Sequence, residues 1–350
     1  MYTAHRIFAA KLKHDLLVTS LDWAPRTNRI VTCSQDRNAN VWTWNGTEWR
    51  PTLVLLRINR AATCVKWSAN ETKFAVGSGA RVIAVCYFEK ENDWWISKHI
   101  KKPLRSTVTC VDWHPNGVLI AAGSTDMKAR VFSGYLKDVD EKPEPSVWGA
   151  RLPFNTLCAE YLSAGSSWIH SIAFSPSGDT LAFTGNISCG IFLNIGHDSS
   201  VTVVYPSTQE GIAPTIFKVK TQFLPFTSLL WTNMDEIVAA GYDCRPVVFK
   251  RDQNGWKYHS CLDGTSRSSS RAETKTNSAF NMFRDMDTRA RSQGSSEDTT
   301  LNTVHQNAIT LVRAHEGEKD RLTKISASGV DGKISIWDMT VASQFSLMNL

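Results

Sequence analysis

No apolar run in this chain approaches the roughly 20 residues of a membrane-crossing helix, and no segment has the build of a secretory leader. These two absences argue against a helical span and against export, and point to a cytosolic chain with reduced thiols. Eight cysteines are present, yet none forms a C-x-x-C or a Cys/His ligand pair, so the sequence offers no zinc site. Cys33, Cys64, Cys86, Cys110 and Cys189 fall in expected strands, where a free thiol behaves as a small buried hydrophobe.

Catalytic signatures are missing as well: there is no P-loop, nucleophile elbow or zinc-protease helix motif. Gly77-Ser78-Gly79 lacks the following helix that a phosphate-cradling loop needs. Asp138, Asp140, Glu141 and Glu144 cluster in a proline-containing loop and are expected as solvated surface. A formal charge of +6 is small for 350 residues and carries no nucleic-acid signal. The densest basic run, Lys98 to Arg105, is short and interrupted by apolar residues; it fits an exposed loop open to an acidic protein partner. No enzyme, cofactor, metal or nucleic-acid function is expected.

What the chain does have is a repeat. Trp42, Tyr87, Phe132, Phe192, Phe249 and Trp337 each follow a turn-like residue by six positions: Asp36, Arg81, Asp126, Asn186, Asp243 and Asp331. Small residues precede several of these turns, as in Ala121-Ala122-Gly123-Ser124 and Ala239-Ala240-Gly241. Further upstream, alternating strands end in an aromatic: Leu21-Asp22-Trp23, Val65-Lys66-Trp67, Val111-Asp112-Trp113, Ile172-Ala173-Phe174 and Leu229-Leu230-Trp231. Self-similarity of this kind decides architecture before local propensity does.

Each repeat encodes one small antiparallel sheet that cannot bury both faces alone, and radial stacking covers them. The expected fold is all-β, a WD-repeat β-propeller spanning residues 1–350 with six recognisable blades. Trp42, Phe132, Phe249 and Trp337 would fill the space between blades, and Asp36, Asp126, Asp243 and Asp331 would brace the tight turns. His14 and His305 lie four residues ahead of strands and are expected to join the turn aspartates in buried structural networks. Trp23, Trp67 and Trp113 should then occupy equivalent environments.

Between successive aromatics the spacings are 45, 45, 60, 57 and 88 residues, against a blade period of about 40–45. The last could hold an extra blade, but residues 262–304 contain no alternating apolar strand and are rich in Ser, Thr, Arg and Asp. They are expected to be a flexible insertion. Within it, residues 277–287 place Phe280, Phe283 and Met286 three apart, on one face of a short amphipathic helix. That face suits a groove on a partner, with the flanks as tethers; alternatively the two rings tuck against the propeller rim.

Several stretches go beyond what a propeller requires. They include Asn28-Arg29-Ile30-Val31-Thr32-Cys33, Trp49-Arg50-Pro51-Thr52-Leu53-Val54-Leu55-Leu56-Arg57-Ile58-Asn59-Arg60, Tyr87-Phe88-Glu89-Lys90-Glu91-Asn92-Asp93-Trp94-Trp95 and Asp112-Trp113-His114-Pro115-Asn116. In these, and in Gly329 through Asp338, the sequence resembles the WD-repeat subunit (subunit 1) of the actin-related protein 2/3 complex, over about residues 14–340. The resemblance implies a non-catalytic scaffold in an assembly that contains two actin-related proteins. With an activating nucleation-promoting factor, that assembly starts branched actin filaments in the cytoplasm.

It further implies that the insertion, with Phe280, Phe283 and Met286, contacts actin. Members of that family close a seven-bladed ring, and with only thirteen residues before His14 the resemblance implies either that the first blade is missing here or that six blades close by themselves. Residues 6–12 could supply one outer strand. A different role for the same architecture is a generic WD-repeat interaction module, such as a ubiquitin-ligase substrate receptor or a signalling scaffold. A propeller hydrolase would need a convergent polar cluster that the sequence does not identify.

Overall fold

A computed structural model of the protein describes residues 14–150, 152–163, 167–186, 199–207, 212–263, 301, 303–318 and 320–339. Their elements are all β-strands, arranged as successive antiparallel meanders. The first unit is β1 (Val18–Ala24), β2 (Arg29–Ser34), β3 (Asn38–Trp44) and β4 (Trp49–Leu55). The second is β5 (Ala62–Trp67), β6 (Lys73–Ser78), β7 (Ile83–Glu89) and β8 (Trp94–Ile100). The third is β9 (Val108–Trp113), β10 (Leu119–Ser124), β11 (Lys128–Ser133) and β12 (Leu157–Leu162). The fourth is β13 (Trp168–Phe174), β14 (Leu181–Asn186), β15 (Ser199–Tyr205) and β16 (Thr215–Thr221). The fifth is β17 (Phe226–Asn233), β18 (Glu236–Gly241), β19 (Val247–Asp252) and β20 (Gly255–Cys261). A sixth contributes β21 (Ile309–Glu318), β22 (Arg321–Gly329) and β23 (Ile334–Asp338). This is the β-propeller pattern.

Apolar side chains are buried between neighbouring sheets, forming five core clusters, one at each junction from the first unit to the sixth. Close approach there depends on small residues at the ends of the second strands. A Cβ on Gly77 would lie 2.5 Å from Cys64 Sγ and 2.8 Å from a Val108 methyl. One on Gly123 would lie 2.5 Å from an Ile169 methyl.

A repeated polar seam joins the inner strands. Thr19 Oγ1 donates to the Ala62 carbonyl at 2.9 Å, and Thr63 and Thr227 donate to Val108 and Ile309, each at 2.6 Å. Thr109 does the same to Ile169. In return, Asp22 accepts from the Trp67 N–H at 2.8 Å and Asp112 from the Phe174 N–H at 2.9 Å, while Ser228 accepts from Val312 at 3.0 Å. Side chains of one unit thus satisfy backbone groups of the next, as buried polar groups require.

The sixth unit ends this series. Thr310 donates within its own unit, to Ser328, and no apolar cluster joins β21 to β1 among the described residues. The two strands are linked by Arg313 Nη1 to Asp22 Oδ1 at 2.8 Å. For this reason Trp23 departs from the expected equivalence: it is 51% exposed, whereas Trp67 and Trp113 are 5% and 6% exposed. The ring nitrogen of Trp113 reaches back to the Lys66 carbonyl of the preceding unit at 2.9 Å; that of Trp23 turns to Asn28 within its own.

Two repeats differ from the six-residue spacing. In the second unit Cys86, not Tyr87, stands opposite Phe74, the position that Trp42 takes opposite Ile30. The one-residue shift flips the face, as strand alternation demands, so Cys86 packs toward the first unit and Tyr87 toward the third. Arg81 is correspondingly the left-handed residue of its turn (φ 61°), matching Arg37, Met127 and Cys244. In the fourth unit Asn186 ends β14, paired with Ser199, and the third strand is β15, with Val204 opposite Leu181. Phe192 lies outside the described residues.

Candidate docking surfaces

The turns between second and third strands are built around the repeat aspartates. In the first unit His14 Nδ1 lies 2.7 Å from Asp36 Oδ2, its Nε2 lies 2.9 Å from Thr32 Oγ1, and Trp42 Nε1 donates to the same hydroxyl at 3.0 Å. Burial raises the Asp36 carboxyl, but the Asn38 N–H and His14 outweigh it and hold the group below its ordinary value. The sixth unit repeats the chain with a different hydroxyl. His305 bridges Asp331, at 3.1 Å, and Ser335 Oγ, at 2.6 Å, and Trp337 Nε1 donates to Ser335 at 3.0 Å.

The third unit has no histidine here. Arg130 pairs with Asp126 at 2.8 Å and with Glu160 at 2.7 Å, and Phe132 is fully buried behind them. In the fifth, Asp243 accepts from the Leu224 N–H at 2.6 Å; burial pushes its carboxyl up. Phe249 packs against Phe226, ring centres 5.8 Å apart. These polar groups are committed to one another and, through the aspartates, to backbone N–H groups, which braces the turns.

Asp331 makes the face acid-sensitive. Burial alone would raise it, yet the Gln306 N–H, His305 and the Lys333 N–H bring it down to about 2. A carboxylate depressed in the fold stabilises it above the unfolded value near 3.8, and that contribution disappears as pH falls toward 2. Acid titration followed by tryptophan fluorescence is expected to show a transition in this window that is absent from an Asp331→Asn variant.

Around the central channel, the inner strands present Ser20, Lys66, Asp112, His170 and Arg313 along a cavity of about 390 Å³. Burial raises the Asp112 carboxyl and lowers the His170 imidazole, each shift disfavouring the charged form. Burial also pushes the Cys33 thiol up to about 12 and Cys64 up to about 11, away from nucleophilic thiolate. Among the described residues no three His, Cys, Asp or Glu side chains converge as a metal-ligand set.

A second cavity, about 500 Å³, opens on the side between Lys98 of β8 and the 135–154 loop, with Lys137, Lys142, Tyr135 and Phe154 on its walls. The same loop corrects one expectation. Asp140 is buried, not solvated: it pairs with the fully buried Lys73, whose ammonium also donates to the Gly134 carbonyl at 2.9 Å. The acidic cluster looked like surface because its partner lies 67 residues away in sequence.

The third feature joins the residues on either side of 264–300. Asp263 Oδ2 accepts from the Val304 N–H at 2.8 Å, closing the two ends of the excursion on each other. Gln306 ties Leu301 in turn, through bonds of 2.7 and 3.0 Å, and its own N–H bonds Asp331 at 2.9 Å. Asp263 and Val304 are therefore tied together beside the His305–Asp331 brace. Phe280, Phe283 and Met286 lie outside the described residues. Asp263 and Gln306 carry no sequence signal, because their bonds are to backbone 41 and 5 residues away.

Comparison with known proteins completes the description. The WD40 family (WD domain, G-beta repeat) matches residues 8–43 and 97–133. Actin-related protein 2/3 complex subunit 1 of Schizosaccharomyces pombe is 51% identical over 341 residues, covering 93% of this chain and 86% of the relative. Subunit 1A-A of that complex from Xenopus laevis is 48% identical over 335 residues, covering 95% and 85%. The Saccharomyces cerevisiae subunit 1 is 41% identical over 354 residues, covering 95% and 85%.

Proposed function

Because the chain belongs to the subunit 1 family of the actin-related protein 2/3 complex, we propose that it is the WD-repeat scaffold subunit of that complex. In this role it does no chemistry. It holds neighbouring subunits, including the actin-related proteins, in the arrangement from which a branched actin filament starts under a nucleation-promoting factor. Its place of action is the cytoplasmic actin cytoskeleton.

One observation carries the reading: identity of 51% extends over 93% of the chain, through loops and outer strands that propeller geometry leaves free. The braced turns and committed polar groups support it, since a scaffold needs a stiff surface and not a reactive one. The insertion, clamped at Asp263 and Val304, is the reaching element; Phe280, Phe283 and Met286 form its apolar contact with the actin filament.

The test is co-purification. Tagged full-length protein is expected to bring down both actin-related proteins in equal molar amounts, and its depletion to slow branched assembly of fluorescent actin. Recovery of ubiquitin-ligase components in their place would establish the generic interaction module instead.

A further inference from the structure

In a four-stranded antiparallel unit, the turn between second and third strands and the connection to the next unit leave from the same end of the sheet. Over the first three units that end is basic. Asn38 pairs with Leu55, so Arg37 and Arg57 leave the first sheet side by side. Ile83 pairs with Ile100, which does the same for Arg81 and the Lys101-Lys102 pair in the second. Arg60 joins the two groups: the Gly79 N–H bonds the Ala61 carbonyl at 3.0 Å, and a Cβ on Gly79 would lie 3.5 Å from that of Arg60. Arg105 continues the line toward the third unit, where the Thr125 N–H bonds the Thr107 carbonyl at 3.0 Å.

All seven residues are exposed, and none makes an ion pair or a side-chain hydrogen bond among the described residues. The carboxylates at this end of the three units are Asp15, which is exposed, and Asp36 and Asp126, which are committed to His14 and Arg130. Seven cations against one uncommitted carboxylate is an excess equal to the formal +6 of the entire chain. The charge is therefore concentrated here.

Apolar side chains stand in water at the same end. Leu17, ahead of β1, is 68% exposed; Trp168, at the start of β13, is 50% exposed; Tyr242, in the turn after β18, is 54% exposed. They belong to the first, fourth and fifth units, so an extended peptide lying along the cations would leave most of them uncovered. A flat partner covers both sets.

We propose that this end of the propeller docks on an anionic bilayer whose lipids carry phosphorylated headgroups. Five of the seven cations are arginines, whose planar forks match phosphate oxygens in pairs. Basic side chains are drawn to a charged leaflet, and Trp and Tyr favour the headgroup level, where one edge is apolar and the other wet. Arg37 and Arg81 each hold the left-handed position of a tight turn (φ 72° and 61°), so the array meets the surface without first ordering a loop. Docking in this way leaves the outer strands and the opposite end free for neighbouring subunits.

Vesicle flotation of the full-length protein tests this. With phosphatidylcholine vesicles in which about one lipid in twenty is phosphatidylinositol bisphosphate, the protein is expected to float, and Arg60→Glu with Arg81→Glu to weaken binding by about thirtyfold or more. Lys101→Glu with Arg105→Glu, which leaves the left-handed turns untouched, should do the same. Lys90→Glu, in the turn after β7 at the opposite end, should float as the parent does, and all three variants should unfold at the parental temperature. Leu17→Gln should weaken flotation with the charge unchanged. Absence of flotation, or flotation indifferent to both charge-reversed pairs, overturns the proposal. So does free inositol trisphosphate binding as tightly as the vesicles, which would assign the cations to a soluble phosphate. Capture of a glutamate-rich peptide by the same residues without flotation would make the ligand a protein and refute the bilayer.

Discussion

Asp140→Ala is expected to destabilise the fold by about 3–5 kcal/mol, the cost of leaving a buried charge without its partner. Lys73 is completely buried, with its ammonium on Asp140, on the Gly134 carbonyl at 2.9 Å and 5.2 Å from the Trp113 ring centre. Alanine removes the one anion in that set. It also frees the Leu136 N–H, which donates to the Asp140 carboxylate at 2.8 Å and fixes the loop wall of the side cavity.

The double variant Lys73→Met with Asp140→Leu should recover most of the loss, since burying a hydrophobic pair in place of an ion pair is commonly near neutral. Urea midpoints of the three proteins decide the matter. A cost below about 1 kcal/mol for Asp140→Ala would place the pair among ordinary surface bridges and contradict the buried geometry.

A pH dependence follows with a definite sign. Burial lowers the Lys73 pKa below 10.5, and Asp140 only partly opposes it. The unfolded chain thus binds the proton more readily, so this residue's penalty shrinks as pH rises toward 10.5. Without Asp140 the ammonium loses its support, and the Asp140→Ala protein should regain stability on alkaline titration more steeply than the parent.

The largest functional effect is expected from Phe280→Ala combined with Phe283→Ala. If the two rings are anchors in a groove on actin, each truncation removes an interface contact of about 2 kcal/mol or more. Together they should weaken engagement of filaments by a hundredfold or more, on the order of 10²–10³. Filament co-sedimentation of the complex reconstituted with each version of the subunit measures this. Thermal unfolding should be unchanged, because the bond from the Val304 N–H to Asp263 does not involve the substituted residues. Undiminished co-sedimentation would mean that the rings serve another contact, and would leave the insertion without its proposed role.

Much of the fold could be read from residue order because propeller units are local. A strand ending in Trp67 or Trp113, small residues such as Gly77 and Gly123, and a turn aspartate such as Asp36 lie within one repeat of one another. The His14–Asp36 and His305–Asp331 braces, 22 and 26 residues apart, are legible for the same reason. The second and fourth units were misplaced where counting six positions cannot see strand phase. Tyr87 satisfies the spacing yet faces the opposite junction, and β15 begins only at Ser199.

Order of residues alone thus determined the class of architecture and the family, because each depends on short-range periodicity and on recurrent local chemistry. Tertiary structure alone decided which unit faces which. It buried Asp140 against Lys73, committed the repeat aspartates to backbone, tied Val304 to Asp263, and left β23 and Trp23 at the one junction without a core cluster among the described residues. Those outcomes depend on which surfaces meet when the units close toward a ring, a long-range condition that no window of one repeat's length contains.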